Sequence, residues 1–264
     1  MKKYILTLIL ALASLGLYAQ TNRNKTIINA ALHGWEYEIK AGVNLGGTAP
    51  LPFPEEIRSI DGYNPTLSIT IEGNMTKWLD TKKKWGIITG LRLENKGMRT
   101  KATVKNYNME IIGYDGNRLK GNWTGGVRTK VQNSYITIPV LAAYKLSPRT
   151  TLKLGPYFSY LMDGDFSGHV YEGYLRETNP TGDKINFTNG AIATYDFSGD
   201  LRKFQWGVQA GVDWKAFKHL KVHADLNWGL NDIFNKDFKT VTFDMYAIYL
   251  NCLLYTSPSP RDGA

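Results

Sequence analysis

The chain has 264 residues, of which 21% are charged, with a formal net charge of +9 and one cysteine. One cysteine excludes a disulfide framework. The basic surplus comes with neither a basic helix nor a recognition motif, so nucleic acid is excluded as a partner.

The first residues, Met1-Lys2-Lys3, lead into an apolar run from Tyr4 to Leu17 and then Leu17-Tyr18-Ala19 before Gln20. A charged start, a hydrophobic centre and a small residue predict a secretory signal peptide over residues 1–19, cleaved after Ala19. The run is shorter than the ~20 apolar residues of a spanning helix. Residues 20–34 then form a periplasmic lead-in.

From Trp35 onward the chain alternates apolar and polar residues one by one. Trp35, Tyr37, Ile39, Ala41, Val43 and Leu45 share one face against Glu36, Glu38, Lys40, Gly42, Asn44 and Gly46. A period of two is a strand. Eight such segments are predicted: Trp35 to Gly46, Pro65 to Trp78, Trp85 to Met98, Asn133 to Leu146, Thr150 to Met162, Phe204 to Lys215, Leu220 to Asn231 and Val241 to Asn251. Each is close to the ~9 to 11 residues that a tilted strand needs to cross a bilayer. A mean hydropathy of −0.30 agrees with strands that give only every second residue to lipid.

The connections alternate in length. Leu79 to Lys84, Ser147 to Arg149 and Ala216 to His219 are short, while Gly47 to Asn64, Arg99 to Gln132, Asp163 to Lys203 and Asp232 to Thr240 are longer. The fold class is therefore all-β: an eight-stranded antiparallel up-and-down transmembrane β-barrel over residues 35–251, with short periplasmic turns and long outer loops.

That orientation sorts the outward aromatic residues into two belts. Trp35, Trp85, Tyr144, Trp214 and Tyr249 fall toward the periplasmic end, and Phe158, Tyr160, Trp206, Trp228 and Phe243 toward the outer end. Amphipathic rings at two membrane interfaces produce this pattern. A soluble sheet core would also collect aromatics, but it would not leave the mid-strand positions to Val, Ala, Leu and Ile.

An eight-stranded barrel is filled by its own side chains, so its inward charges must neutralise one another. The turn near Lys82 sets Glu72 opposite Arg92, and the turn near Phe217 brings Asp213 near Lys221 or His223. Glu38, Lys40, Lys153 and Asp225 complete a predicted lumen charge network. His223 and Asp225 are also two apart on one face, as in an acid/base pair, but no serine accompanies them at a diagnostic spacing. His33, His169 and His219 are isolated, which leaves no metal constellation. Gly46-Gly47 and the stretch Gly121 to Gly126 lack the lysine and helix of a phosphate loop. No cofactor is expected.

The second outer loop carries Arg99, Lys101, Lys105, Arg118, Lys120, Arg128 and Lys130. Such a surplus at the outer leaflet fits the phosphates of lipopolysaccharide, or else is an ordinary solvated loop. The third loop is longer and acidic, without a calcium-loop pattern.

After Asn251 the chain reads Cys252-Leu253-Leu254-Tyr255-Thr256-Ser257-Pro258-Ser259-Pro260-Arg261-Asp262-Gly263-Ala264. This stretch resembles the translation of a transposase adapter used to build DNA sequencing libraries, and residues 252–264 are expected to be a non-native tail outside the barrel. On that reading the native chain has no cysteine, which excludes thiol catalysis and a Cys-ligated metal.

Four phrases, in order, resemble the PorT-like outer-membrane β-barrel family. They are Gly90-Leu91-Arg92-Leu93-Glu94-Asn95-Lys96-Gly97, Tyr135-Ile136-Thr137-Ile138-Pro139-Val140, Gly155-Pro156-Tyr157 and Asn227-Trp228-Gly229-Leu230-Asn231-Asp232-Ile233. The resemblance implies insertion by the barrel-assembly machinery and, for the namesake members, a link to protein export by the type IX system; it carries no catalytic motif. The expected function is non-enzymatic: a filled barrel in the bacterial outer membrane, touching lipid and lipopolysaccharide, that supports envelope structure or secretion-system proteins through its loops. Two alternatives are an outer-membrane hydrolase or acyltransferase, which needs Ser, His and an acid at the outer rim, and a soluble periplasmic barrel, which needs its apolar face turned inward around a small ligand.

Overall fold

A computed structural model describes residues 33–113, 116–237 and 244–256. The expected signal peptide, almost all of the lead-in, Phe243 and the end of the tail lie outside the described residues.

The described residues form ten strands: β1 (Trp35–Pro50), β2 (Ile57–Pro65), β3 (Ser68–Trp78), β4 (Trp85–Ile112), β5 (Arg118–Lys145), β6 (Thr150–Glu177), β7 (Lys184–Asp196), β8 (Phe204–Phe217), β9 (Leu220–Gly229) and β10 (Met245–Thr256). Eight of them close a ring. Antiparallel pairing runs from β1 to β3, β4, β5, β6, β8, β9 and β10, and β10 returns to β1. Closure leaves no unpaired edge, the one arrangement of strands that hydrocarbon tolerates. The fold is the predicted eight-stranded antiparallel barrel.

The period of two decides which way each side chain faces. On β3, Ser68, Thr70, Glu72, Asn74 and Thr76 are buried inside, while Ile69, Ile71 and Met75 are 40–56% exposed outside. Leu91, Leu93, Ile138, Val140, Leu152, Leu154, Val208 and Leu226 extend the apolar outer surface around the ring. An apolar exterior over a polar interior reverses the pattern of a soluble barrel. The reading with the apolar face turned inward is corrected accordingly.

At one end the strands are joined by the tight connections 79–84, 146–149 and 218–219. In the first, Asp80 Oδ1 accepts the amides of Lys84 and Trp85 at 2.7 and 2.9 Å. The Trp85 amide above all holds this exposed carboxyl below its ordinary range.

At the other end three of the four long connections are largely strand. β4, β5 and β6 each run 28 residues, far beyond a membrane crossing, and β4 and β5 stay paired from Trp85↔Tyr144 out to Ile112↔Arg118. β2 joins the outer part of β4, and β7 joins the outer part of β6. Alternation continues there because one face is still buried. Val104, Met109, Ile111, Trp123, Val127, Val170, Leu175, Phe187 and Tyr195 form a second, apolar core above the ring. A turn of Ser198–Asp200 and the bridge Leu201↔Phe234 fold over the ring's outer mouth, with Leu201, Ile233 and Phe234 buried.

The last strand departs from expectation in its limits. It pairs through Thr256↔Leu220 on β9 and Leu254↔Ala41 on β1, so residues 252–256 lie within the ring and not in a tail outside it. The physical reason is that Leu253 and Leu254 extend the alternation by one inward and one outward apolar side chain.

The seam is directly testable. Val43 and Cys252 are register partners on the outward face, and antiparallel partners sit about 4.5–5.5 Å apart at Cα, within reach of a disulfide. Oxidised Val43→Cys is expected to migrate as a cross-linked band on a denaturing gel and to revert with reductant. Ile39→Cys, outward on the same strand but four residues away, is expected not to; a Val43→Cys chain that never cross-links overturns this closure.

Candidate functional site

The lumen is built as a column of charges whose register the hairpins impose. Lys40 and Arg92 both flank Glu72, as the pairings Lys40↔Glu72 and Glu72↔Arg92 dictate. Lys40 Nζ lies 3.1 Å from Glu72 Oε1, and Arg92 Nε donates to Glu72 Oε2. The Arg92 guanidinium also donates to Gln209 Oε1 at 2.9 Å and Asn227 Oδ1 at 3.4 Å, reaching across the lumen to β8 and β9. Toward the outer mouth Glu94 follows, 3.8 Å from Arg92 Nη1 and 3.2 Å from Lys96 Nζ, and it accepts Thr137 Oγ1 at 2.7 Å.

A second group surrounds Lys153, which lies 2.5 Å from Asp213 and 2.8 Å from Asp225. His223 Nδ1 is 2.6 Å from the same Asp213 oxygen. Near the short-turn end Lys221 pairs with Glu38. All nine residues predicted for the network therefore point inward and meet, in the groups Lys40, Glu72, Arg92; Lys153, Asp213, His223, Asp225; and Glu38, Lys221.

Sequence reasoning missed Glu94 and Lys96, although both share the parity of Arg92. With them, four cations, Lys40, Arg92, Lys96 and Lys153, face four carboxylates, Glu72, Glu94, Asp213 and Asp225, so the charges of these eight balance. Lys96 ends it in an aromatic cage, its ammonium 5.0, 5.4 and 5.5 Å from the rings of Tyr135, Tyr157 and Tyr249. Cation–π attraction is strongest where water is absent, and Lys96 is 2% exposed. Above the cage Met98, Val131, Leu161 and Phe166 close the bore with apolar side chains.

Space for these side chains comes from inward glycines. A Cβ on Gly211 would stand 1.8 Å from Asp225 Oδ1, so Asp225 fits only over a bare backbone.

The aromatic residues separate by face. Trp85, Trp214, Phe158, Tyr160, Trp206 and Trp228 are 41–55% exposed on the outside, and Trp35 and Tyr144 are half-buried there. Trp85 packs on Tyr144 at 4.6 Å between centroids at the short-turn end, while Phe158↔Trp206 and Tyr160↔Phe204 adjoin toward the outer end. Tyr249 is the exception. It is 2% exposed and faces the lumen, because Asn251 on the same parity is drawn inward, and both parities of this stretch are apolar enough to mislead.

The seven basic residues of the second outer segment do not form one cluster. Arg99↔Lys130 and Lys101↔Arg128 are stacked cross-strand pairs on the outward face, four and six residues above the Asn95↔Ser134 pair. Lys130 bridges to Asp165 at 2.6 Å, and Arg128 covers Tyr171 at 5.1 Å. Lys105 is exposed past these pairs, and Arg118 and Lys120 sit near the distal turn, where Arg118 pairs with Glu110 at 2.9 Å. Like charges directly opposite repel; Asp165 offsets this at the Arg99↔Lys130 pair, while Lys101↔Arg128 has no carboxylate bridged to it among the described residues.

A hydrolase arrangement is not assembled among the described residues. Asp165, Ser167 and His169 share one strand face, but Ser167 Oγ donates to Asp165 at 2.6 Å and His169 lies against Tyr171, so no histidine stands between hydroxyl and acid. Among the described residues no cluster of three or more His, Cys, Asp or Glu could hold a metal ion.

Breaking the column is expected to be expensive. Arg92→Met leaves Glu72 to Lys40 alone and Glu94 to Lys96 alone, with one buried negative charge in excess, and is expected to destabilise the barrel by about 3–5 kcal/mol in a urea titration of heat-modifiable mobility. Glu36→Gln, which removes a half-exposed pair with Lys83, is expected to change it by under about 1 kcal/mol.

No curated protein sequence matches the chain. Among solved structures it is similar to Ail, the attachment invasion locus protein of Yersinia pestis, at 11% identity and a TM-score of 0.37, covering 85% of this chain and 98% of that one. It is also similar to Neisserial surface protein A, at 8% identity and a TM-score of 0.31, covering 84% and 98%. The family described as outer membrane protein beta-barrel domain matches residues 18–235. The chain belongs to this family, and its barrel is one of the bacterial outer membrane.

Proposed function

We propose that this protein is a non-conducting, non-enzymatic display barrel, which anchors in the outer membrane and presents its extended outer sheet to envelope or secretion partners. The observation that carries the reading is the pairing of a sealed bore with 28-residue strands. A neutral charge column, an aromatic cage and an apolar cap fill the lumen, so material has no path through it. The polypeptide beyond the membrane is spent instead on a rigid sheet with its own core. Rigid strands hold a recognition surface more accurately than loops do.

The PorT-like phrases support a role as an accessory to protein export, with the signal peptide directing the chain outward and the barrel-assembly machinery inserting it. Lipopolysaccharide is the partner of the Arg99, Lys101, Arg128 and Lys130 quartet. Its phosphates supply an anion to the Lys101↔Arg128 pair and add to Asp165 at the Arg99↔Lys130 pair, and the quartet lies beyond the apolar belt on β4 and β5, where Leu93 and Ile138 are exposed.

Two measurements test the reading. Purified protein in a planar bilayer is expected to show no ohmic current steps; reproducible steps overturn the sealed bore. The fourfold Gln variant of the quartet is expected to fold normally yet retain several-fold less co-purified lipopolysaccharide, and unchanged retention removes that contact.

A further inference from the structure

Above the apolar cap the structure holds a cavity of about 570 Å³, separate from the lumen. Its size is that of small-molecule sites, which run from ~300 to 1,000 Å³. The walls are apolar: Val104, Met109 and Val127 from the β4–β5 sheet, Ile57 from β2, and Phe166 and Phe234 from the cap. At the rim Phe53 and Ile60 are half exposed.

The polar groups of the cavity are asymmetric. Its two carboxylates are already engaged: Asp232 Oδ1 accepts the amides of Phe234 and Met245 at 3.2 and 3.1 Å, and Asp244 Oδ2 accepts the Tyr246 hydroxyl at 3.1 Å. Its two cations keep donors in reserve, although the charge of Arg202 also acts on Asp232. Arg202 donates Nε to the Phe234 carbonyl at 3.1 Å, and among the described residues its terminal nitrogens have no hydrogen bond or ion pair, nor has the ammonium of Lys236. A partly buried guanidinium with a free fork beside an apolar chamber is complementary to one kind of molecule.

We propose that this outer cavity binds a single-chain amphiphile with an anionic head, such as a long-chain carboxylate, its chain against Val104, Met109 and Val127 and its head on Arg202 and Lys236. The neutral column below denies the head any alternative seat in the bore.

The test uses the full chain in lipid nanodiscs and a 16-carbon carboxylate bearing a diazirine. Photolabelling is expected on the segment Met98–Val131, and it is expected to be competed by oleate but not by oleyl alcohol. Arg202→Gln is expected to weaken labelling about tenfold, and Ala102→Trp, which fills the chamber, to abolish it. Should Ala102→Trp fail to show heat-modifiable migration, Ala49→Phe fills the cavity from β1. Labels confined to the lipid-facing positions of β6 and β8, equal competition by the alcohol, or full labelling of a folded cavity-filled variant each overturn the site.

Discussion

Within hydrocarbon a backbone amide has no water to turn to, so every strand must have a neighbour on both sides. Everything else in this protein depends on β10 meeting β1. That seam fixes the circumference at eight strands, and eight strands leave a bore only as wide as two opposing side chains. A lumen this narrow is filled by side chains, so every inward charge has to find a partner within its own length. Arg92 illustrates the consequence, because it stands on β4 yet contacts β3, β8 and β9.

The neutrality of the column follows from the same constraint. An unpaired charge buried in a packed bore costs several kcal/mol, so carboxylates and cations accumulate in equal number. The tyrosine cage around Lys96 solves the problem at the end of the column, where no further carboxylate follows and only apolar cap residues remain above. Polar packing below and apolar packing above thus meet at one residue, and together they make the bore a plug and leave the outer sheet free for recognition.

The outer extension has different physics. Beyond the membrane the strands are wet on one face, and the cost of exposing backbone disappears. β4, β5 and β6 persist as strands because β2 and β7 pair with them and a second core of Met109, Trp123, Val170 and Phe187 forms on their inner side. This core does not fill the space over the cap, which is how a ring with no room in its bore carries a chamber at its mouth.

Alternation alone was enough to count the eight strands of the ring, turn their apolar faces outward and set Glu72 opposite Arg92, because a strand's period is exact and a short turn fixes register. It failed where both parities are apolar, as around Tyr249. It also failed where the selecting force is tertiary: the length of β4 and β5 past Met98 depends on the partners β2 and β7, the place of Glu94 and Lys96 on tyrosines from three strands, and the cap on segments 30 residues apart. The chain's local pattern determined a barrel of the outer membrane, since that pattern is a one-dimensional property of each strand. What fills the bore, seals it and hollows the mouth was decided only in three dimensions, because those features arise from side chains that become neighbours when the ring closes.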